Sequence, residues 1–196
     1  MRRFYIQSDR FSLLRRALLD LCAPIYEQIV CLPKNIGMTA FLASLAASAS
    51  ASARGRGTTR TMLDFGCGPG LASLACARAM ARRGWHLRGF DSSPRMRVLA
   101  EGNGLPQTES VATSTYDAVL ACYVLDASFD VDESATLLGA LKPGGALAAN
   151  LHDMSEADGT RLCAQLESIR TGKLVRGTAR LSGDPEAYLV FRVSNA

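Results

Sequence analysis

Ten residues, Thr61-Met-Leu-Asp-Phe-Gly-Cys-Gly-Pro-Gly70, restrict the fold of this chain more than any other stretch. A short apolar run passes directly into three alternating glycines, and a helical pattern begins at Leu71. Strand, tight turn and helix in immediate succession open a βαβ unit. Glycine lets the backbone turn sharply and approach a ligand closely, while the first helical amides can face its polar groups. Any strand-to-helix junction also tolerates glycine, so the residues that follow must decide between turn and binding site.

They repeat the pattern. Apolar strands are expected over 61–65, 85–90, 116–122 and 146–151, and helices over 71–83, 94–101 and 132–141. Continuous apolar strands separated by helices imply right-handed crossovers and a parallel sheet covered on both faces. Near the end, 173–181 and 187–193 flank Ser182-Gly-Asp-Pro185 and read as an antiparallel hairpin. The expected class is α/β: a Rossmann-like, doubly wound, mostly parallel sheet that ends in an antiparallel hairpin, with an N-terminal helical appendage.

In that appendage Leu13, Leu14, Leu18, Leu21, Cys22, Ile25 and Ile29 recur at three- and four-residue steps, an amphipathic helix over 11–31 bent at Pro24. A second helix is expected over 38–47. The tract from Ser48 to Gly57 alternates small residues with two arginines and has too little apolar bulk to enter a core. The expected division is therefore a helical lid or appendage over 1–47, a flexible linker over 48–59 and a ligand-binding domain over 60–196.

Charge and cysteine narrow the partners. The 196 residues carry a formal charge of +4, with arginines in scattered pairs instead of a stripe interleaved with aromatics, so nucleic acid is not the expected partner. The six cysteines form no Cys-x-x-Cys pair and lie partly in apolar stretches. They read as reduced thiols of a cytoplasmic protein, with neither a disulfide framework nor a metal site. The run after Met1-Arg-Arg3 is broken by charges, and no stretch reaches the roughly 20 apolar residues that span a bilayer, so neither export nor a membrane is expected.

Asp91 stands at the end of the second strand, Trp85-His-Leu-Arg-Gly-Phe90, where a carboxylate can accept both hydroxyls of a ribose. It also precedes Ser92-Ser-Pro94, the start of a helix. Ser92 and Ser93 can serve as caps, so removing the Asp91 carboxylate is expected to cost the fold no more than about 1 kcal/mol.

Four segments in order, Asp64-Phe-Gly-Cys-Gly-Pro-Gly70, Gly89-Phe-Asp-Ser-Ser-Pro94, Tyr116-Asp-Ala-Val-Leu-Ala-Cys122 and Leu141-Lys-Pro-Gly-Gly-Ala-Leu147, resemble successive motifs of class I S-adenosylmethionine-dependent methyltransferases. The resemblance implies S-adenosylmethionine as cofactor and no metal. It lays Gly66, Cys67, Gly68 and Gly70 along the amino-acid part, with Asp64 near the amino group. It assigns Asp91 and Ser92 to the ribose, Met96 to the adenine, and Ala121 and Cys122, with Tyr123, to the sulfonium side. Tyr5 and Tyr26 resemble tyrosines that lid helices of this family lay over the cofactor.

Between Asp91 and Tyr116 the chain is shorter than the family pattern. The third strand is expected to be curtailed to about 109–113, and the adenine edge is left to Asn103, Glu109 or Ser110. Methyl transfer from a sulfonium already has a good leaving group, so orientation and proton removal are the tasks left to side chains. Tyr123 and His152 are the catalytic candidates: Tyr123 lies nearest the expected methyl, and His152 follows the strand over 146–151 with an imidazole that ordinarily titrates near neutrality. Both residues also fit plain packing or a solvated loop. The acidic residues Asp126, Asp130, Asp132 and Glu133 precede a helix and read as its cap.

The expected function is methyl transfer to a small-molecule acceptor. Two alternatives remain at this level: cyclisation or cleavage of S-adenosylmethionine at its aminocarboxypropyl arm to give methylthioadenosine, and a non-catalytic methyltransferase-like partner protein. The sequence leaves the oligomeric state open, a homodimer included.

Overall fold

A computed structural model describes residues 17, 18, 20–23, 25, 26, 28, 33–51, 59–181 and 185–195. Among them the chain forms a six-stranded sheet: β1 (Arg60–Phe65), β2 (Trp85–Phe90), β3 (Tyr116–Ala121), β4 (Leu141–Asn150), β5 (Gly172–Ala179) and β6 (Glu186–Val193). The spatial order is β2-β1-β3-β4-β6-β5. The first four strands are parallel, while β6 runs antiparallel to both β4 and β5. The mostly parallel sheet and its terminal hairpin are thus as read from the sequence.

The helices are α1 (Pro33–Ala49), α2 (Leu71–Arg82), α3 (Pro94–Gly102), α4 (Val131–Gly139) and α5 (Glu156–Ile169). Strand periodicity sends neighbouring side chains to opposite faces. Met62, Ala118 and Leu120 join a core with Met38, Leu42, Ala43 and Ala46 of α1 and Cys76 and Met80 of α2. Leu63, Val119 and Leu147 join the other core with Leu137 and Leu138 of α4 and Leu162 and Leu166 of α5. All six residues of β3 are buried, as a central strand covered on both faces requires.

Helix α5 was not anticipated, although its signal is present: Ser155 caps the N-terminus by accepting from the Asp158 amide, and Leu162, Cys163, Leu166 and Ile169 follow at helical spacing. The acidic cap of α4 is as expected. Asp130 accepts from the Glu133 amide at 2.8 Å and Glu133 reaches back to the Asp130 amide, a reciprocal capping box. Asp130→Ala is expected to cost about 1 kcal/mol in urea denaturation; an unchanged midpoint would show the cap to be redundant.

The curtailed third strand does not form over 109–113. A single bridge, Gly89 to Gln107, marks its place, with the Gly89 amide donating to Pro106 and the Thr108 amide to Gly89. With no longer helix between Asn103 and Pro106, the loop meets the edge of β2 at one point only.

Helix α1 crosses one sheet face from end to end. Its N-terminal Lys34 reaches Glu186 at the start of β6, and beyond its C-terminus Ser50 donates to the Asp117 carbonyl and the Ala51 amide to Gly144. Of the segment expected as a linker, Ser48 and Ala49 close α1, and 52–58 lie outside the described residues, as do Tyr5, Pro24 and Ser182–Asp184.

Candidate functional site

The carboxyl ends of β1, β2, β3 and β4 carry the predicted residues. After β1 the chain turns through Gly66, Gly68 and Gly70, with φ of +75°, +53° and +80°. L-residues pay for this left-handed region, so alternating glycine is what allows the turn. The Gly66 and Cys67 amides both donate to the Phe90 carbonyl, which ties the turn to the end of β2. A β-carbon at Gly66 would also overlap the Val124 side chain. Gly66→Ala is therefore expected to lose about 2 kcal/mol or more in chemical denaturation, and a parent-like stability would show that the turn has another conformation to use.

Asp91 joins both sides of the site. Its Oδ2 accepts from the Gly68 amide at 2.8 Å and its Oδ1 from the Ser93 amide at 2.9 Å, with the side chain almost wholly buried. Ser93 is the N-cap of α3, its Oγ accepting from the Met96 amide, and Pro94 fills the first helical position. Asp91 thus also holds the amide of the residue that caps α3, which raises the expected structural cost of losing its carboxylate above about 1 kcal/mol. Ser92 is exposed and Met96 buried.

Asp64 is buried behind the turn and accepts from the Ser73 hydroxyl of α2. Loss of solvent drives its carboxyl up to about 7, and the nearby Asp91 charge adds to the rise. Asp91 is raised as well, by its own burial. At the start of α2, Gly70 brings no capping side chain. The ends of β1 and β2 thus place two desolvated carboxylates at the glycine turn, which leads into a helix N-terminus without a side-chain cap.

Residues from elsewhere close over this turn. A Gly68 β-carbon would lie 3.6 Å from the Tyr26 ring, so Tyr26 covers Gly68, and Ser93 Oγ donates to Asp20. Asn103 donates to the Pro69 carbonyl at 3.1 Å, whereas Glu109 and Ser110 point to solvent. Gln107, which the sequence did not single out, contacts the Cys67 thiol.

A second cluster stands at the ends of β3 and β4. Ala121 is buried and ends β3; Cys122 is half-buried, its thiol pushed by burial up to about 12. Tyr123 follows with φ +60°, a strained conformation for a non-glycine residue, held by donation of its amide to Asn150 Oδ1 at 2.7 Å. Its ring meets His152 edge to face at 4.8 Å, so the two catalytic candidates are neighbours. The Tyr123 hydroxyl donates to Glu186 Oε1 at 3.3 Å, Asn150 Nδ2 to Glu186 Oε2 at 3.2 Å, and Lys34 Nζ pairs with Oε1 at 2.5 Å. Burial, then the Glu186 charge, drives the Tyr123 phenol upward, so it keeps its proton.

Lys34, Asn150 and Glu186 escaped the sequence reading. Asn150 had a signal, as the polar end of the apolar run 145–149, and Glu186 opens a strand after Gly-Asp-Pro. Lys34 had none, because only the path of α1 brings it here. Among the described residues no group of three or more histidine, cysteine or acidic side chains is arranged to hold a metal ion, and no helix is long and apolar enough to cross a membrane.

Residues 35–172 match the methyltransferase domain family. No curated protein matches the chain. Among solved structures it is similar to magnesium protoporphyrin IX methyltransferase from Synechocystis PCC 6803, 17% identical over 97% of this chain and 100% of that one, with a TM-score of 0.63. The cyclase SpnF is 15% identical, with 92% and 95% coverage and a TM-score of 0.65. A TehB-like methyltransferase from Corynebacterium glutamicum is 15% identical, with 91% and 99% coverage and a TM-score of 0.62. These likenesses concern the fold, whereas the family match covers well over half of the sequence and includes all four ordered motifs: the chain belongs to the methyltransferase domain family.

Proposed function

We propose that this protein binds S-adenosylmethionine over the glycine turn and transfers its methyl group to a small-molecule acceptor at the Tyr123–His152 rim. The observation that carries the reading is the meeting of both clusters at the carboxyl ends of the parallel strands, where ligands of open α/β sheets bind.

The donor set fits the cofactor. Asp64 and Asp91, desolvated carboxylates, suit an ammonium group and ribose hydroxyls, and the α2 N-terminus suits a carboxylate. Met96, Asn103 and the turn would border the adenine, Ala121 and Cys122 the sulfonium. Once bound, S-adenosylmethionine supplies a methyl group on a positively charged sulfur that leaves as a neutral thioether. Tyr123 would orient the acceptor, His152 would take its proton, and the helical residues around Tyr26 would serve as a lid over the turn. The lid would lie ahead of α1, whose Met38, Leu42, Ala43 and Ala46 belong to the core of the catalytic domain. The thiols of Cys22, Cys67, Cys76, Cys122 and Cys163 suit a reducing cytoplasm.

Calorimetry is expected to show S-adenosylmethionine and S-adenosylhomocysteine binding well below about 1 mM. No binding to folded protein at that concentration would overturn the reading. SpnF, a cyclase, shares the fold, so products decide the reaction: S-adenosylhomocysteine is expected, and methylthioadenosine in its place would mean cleavage of the aminocarboxypropyl arm.

A further inference from the structure

Side chains from two elements and a loop converge on one carboxylate at the rim. Glu186 of β6, its side chain only 10% exposed, receives Asn150 from β4, Tyr123 from the loop after β3 and Lys34 from α1. The methyl-transfer reading assigns no task to this group. The other carboxylate beside the rings, Asp153, is 79% exposed and lies 3.7 Å from His152 Nε2.

We propose that Glu186 selects the methyl acceptor, a small amine that docks on Glu186 as its ammonium where Lys34 Nζ lies, gives a proton to His152, and then attacks the methyl carbon with the freed lone pair as the carbon–sulfur bond breaks. The inference rests on the methyl-transfer reading. Two of the three donors to Glu186, the short Asn150 and the ring of Tyr123, have few rotatable bonds and fix its orientation. The third is an ammonium on a long stem, 44% exposed, which can swing into solvent, and its 2.5 Å approach shows that a cationic nitrogen fits there. A carboxylate shielded from water favours charged N–H donors over a hydroxyl. The Tyr123 hydroxyl also meets this carboxylate, and the Tyr123 and His152 rings stand beside it. If the pair served only to pin α1 to β6, breaking it would lower stability and leave no preference among ligands.

The test is calorimetry with propylamine and benzylamine, each against its alcohol, in the presence of saturating S-adenosylhomocysteine. The parent is expected to bind an amine at least about tenfold more tightly than its alcohol. Glu186→Gln, which keeps the side chain's shape, is expected to erase that preference, bringing the affinity for the amine down to that for its alcohol. Lys34→Ala is expected to strengthen amine binding severalfold, because its competitor is gone. Equal binding of amine and alcohol by the parent, a preference that survives Glu186→Gln, or no amine binding would overturn the proposal. The binding of S-adenosylhomocysteine in the same samples reads the cofactor site separately, and its failure would count against the methyl-transfer reading itself.

Discussion

Asp91→Ala is expected to lower S-adenosylmethionine affinity by about 30- to 1,000-fold and, unlike a residue dedicated to a ligand, to lower stability by about 2–4 kcal/mol as well. The affinity loss follows from removing charge-assisted hydrogen bonds to ribose hydroxyls. The stability loss follows from the amides of Gly68 and Ser93, which donate to the two carboxylate oxygens inside a site almost closed to water. With alanine both donors are orphaned, and both the glycine turn and the start of α3 lose their anchor. Asp91→Asn separates the effects: one oxygen still accepts an amide, so urea denaturation should show a smaller deficit while calorimetry shows binding strongly weakened. Parent-like affinity in both variants would remove Asp91 from the binding site.

The second large effect is one of pH. Burial holds the Asp64 carboxyl at about 7 in the folded protein, against 3.8 for the same group in the open. Between those values the folded chain keeps a proton that the unfolded chain has released, so stability falls as pH rises through the window and levels off above about 7. A gap of about three pH units amounts to about 4 kcal/mol. Asp64→Asn cannot ionise, yet can still accept from Ser73. From pH 5 to pH 8 the melting temperature of the parent is therefore expected to fall relative to that of Asp64→Asn. Parallel profiles would mean that Asp64 is already ionised when the protein is folded. Ligand binding runs the other way: an ammonium group beside Asp64 favours the ionised form, so S-adenosylmethionine should bind more tightly at pH 8 than at pH 6, with less change in Asp64→Asn.

Much of this was legible in one dimension because the physics involved is local. Apolar runs broken by helical patterns specify a parallel sheet, and alternating glycines specify a turn whose φ values are positive at Gly66, Gly68 and Gly70. The residues proposed for the cofactor, Asp64 through Gly70 and Asp91 through Met96, lie next to strand ends, and strand ends can be read from the sequence. Helix α5 was equally local and went unread.

The acceptor side is different. Tyr123 and His152 were recognisable as rim residues, but their contact depends on the side-by-side pairing of β3 and β4. Glu186 reaches them because β6 returns antiparallel beside β4, and Lys34 because α1 spans the sheet face. The double duty of Asp91 likewise needs Gly68 to fold back over β2, 23 residues away in the chain. The sequence by itself determined the strand-and-helix alternation, the family and the place of the glycine turn, since periodicity and glycine act within a few residues. Only the tertiary structure decided what surrounds Tyr123 and His152, because that charge network joins residues 34, 123, 150 and 186, brought together by sheet order and helix packing.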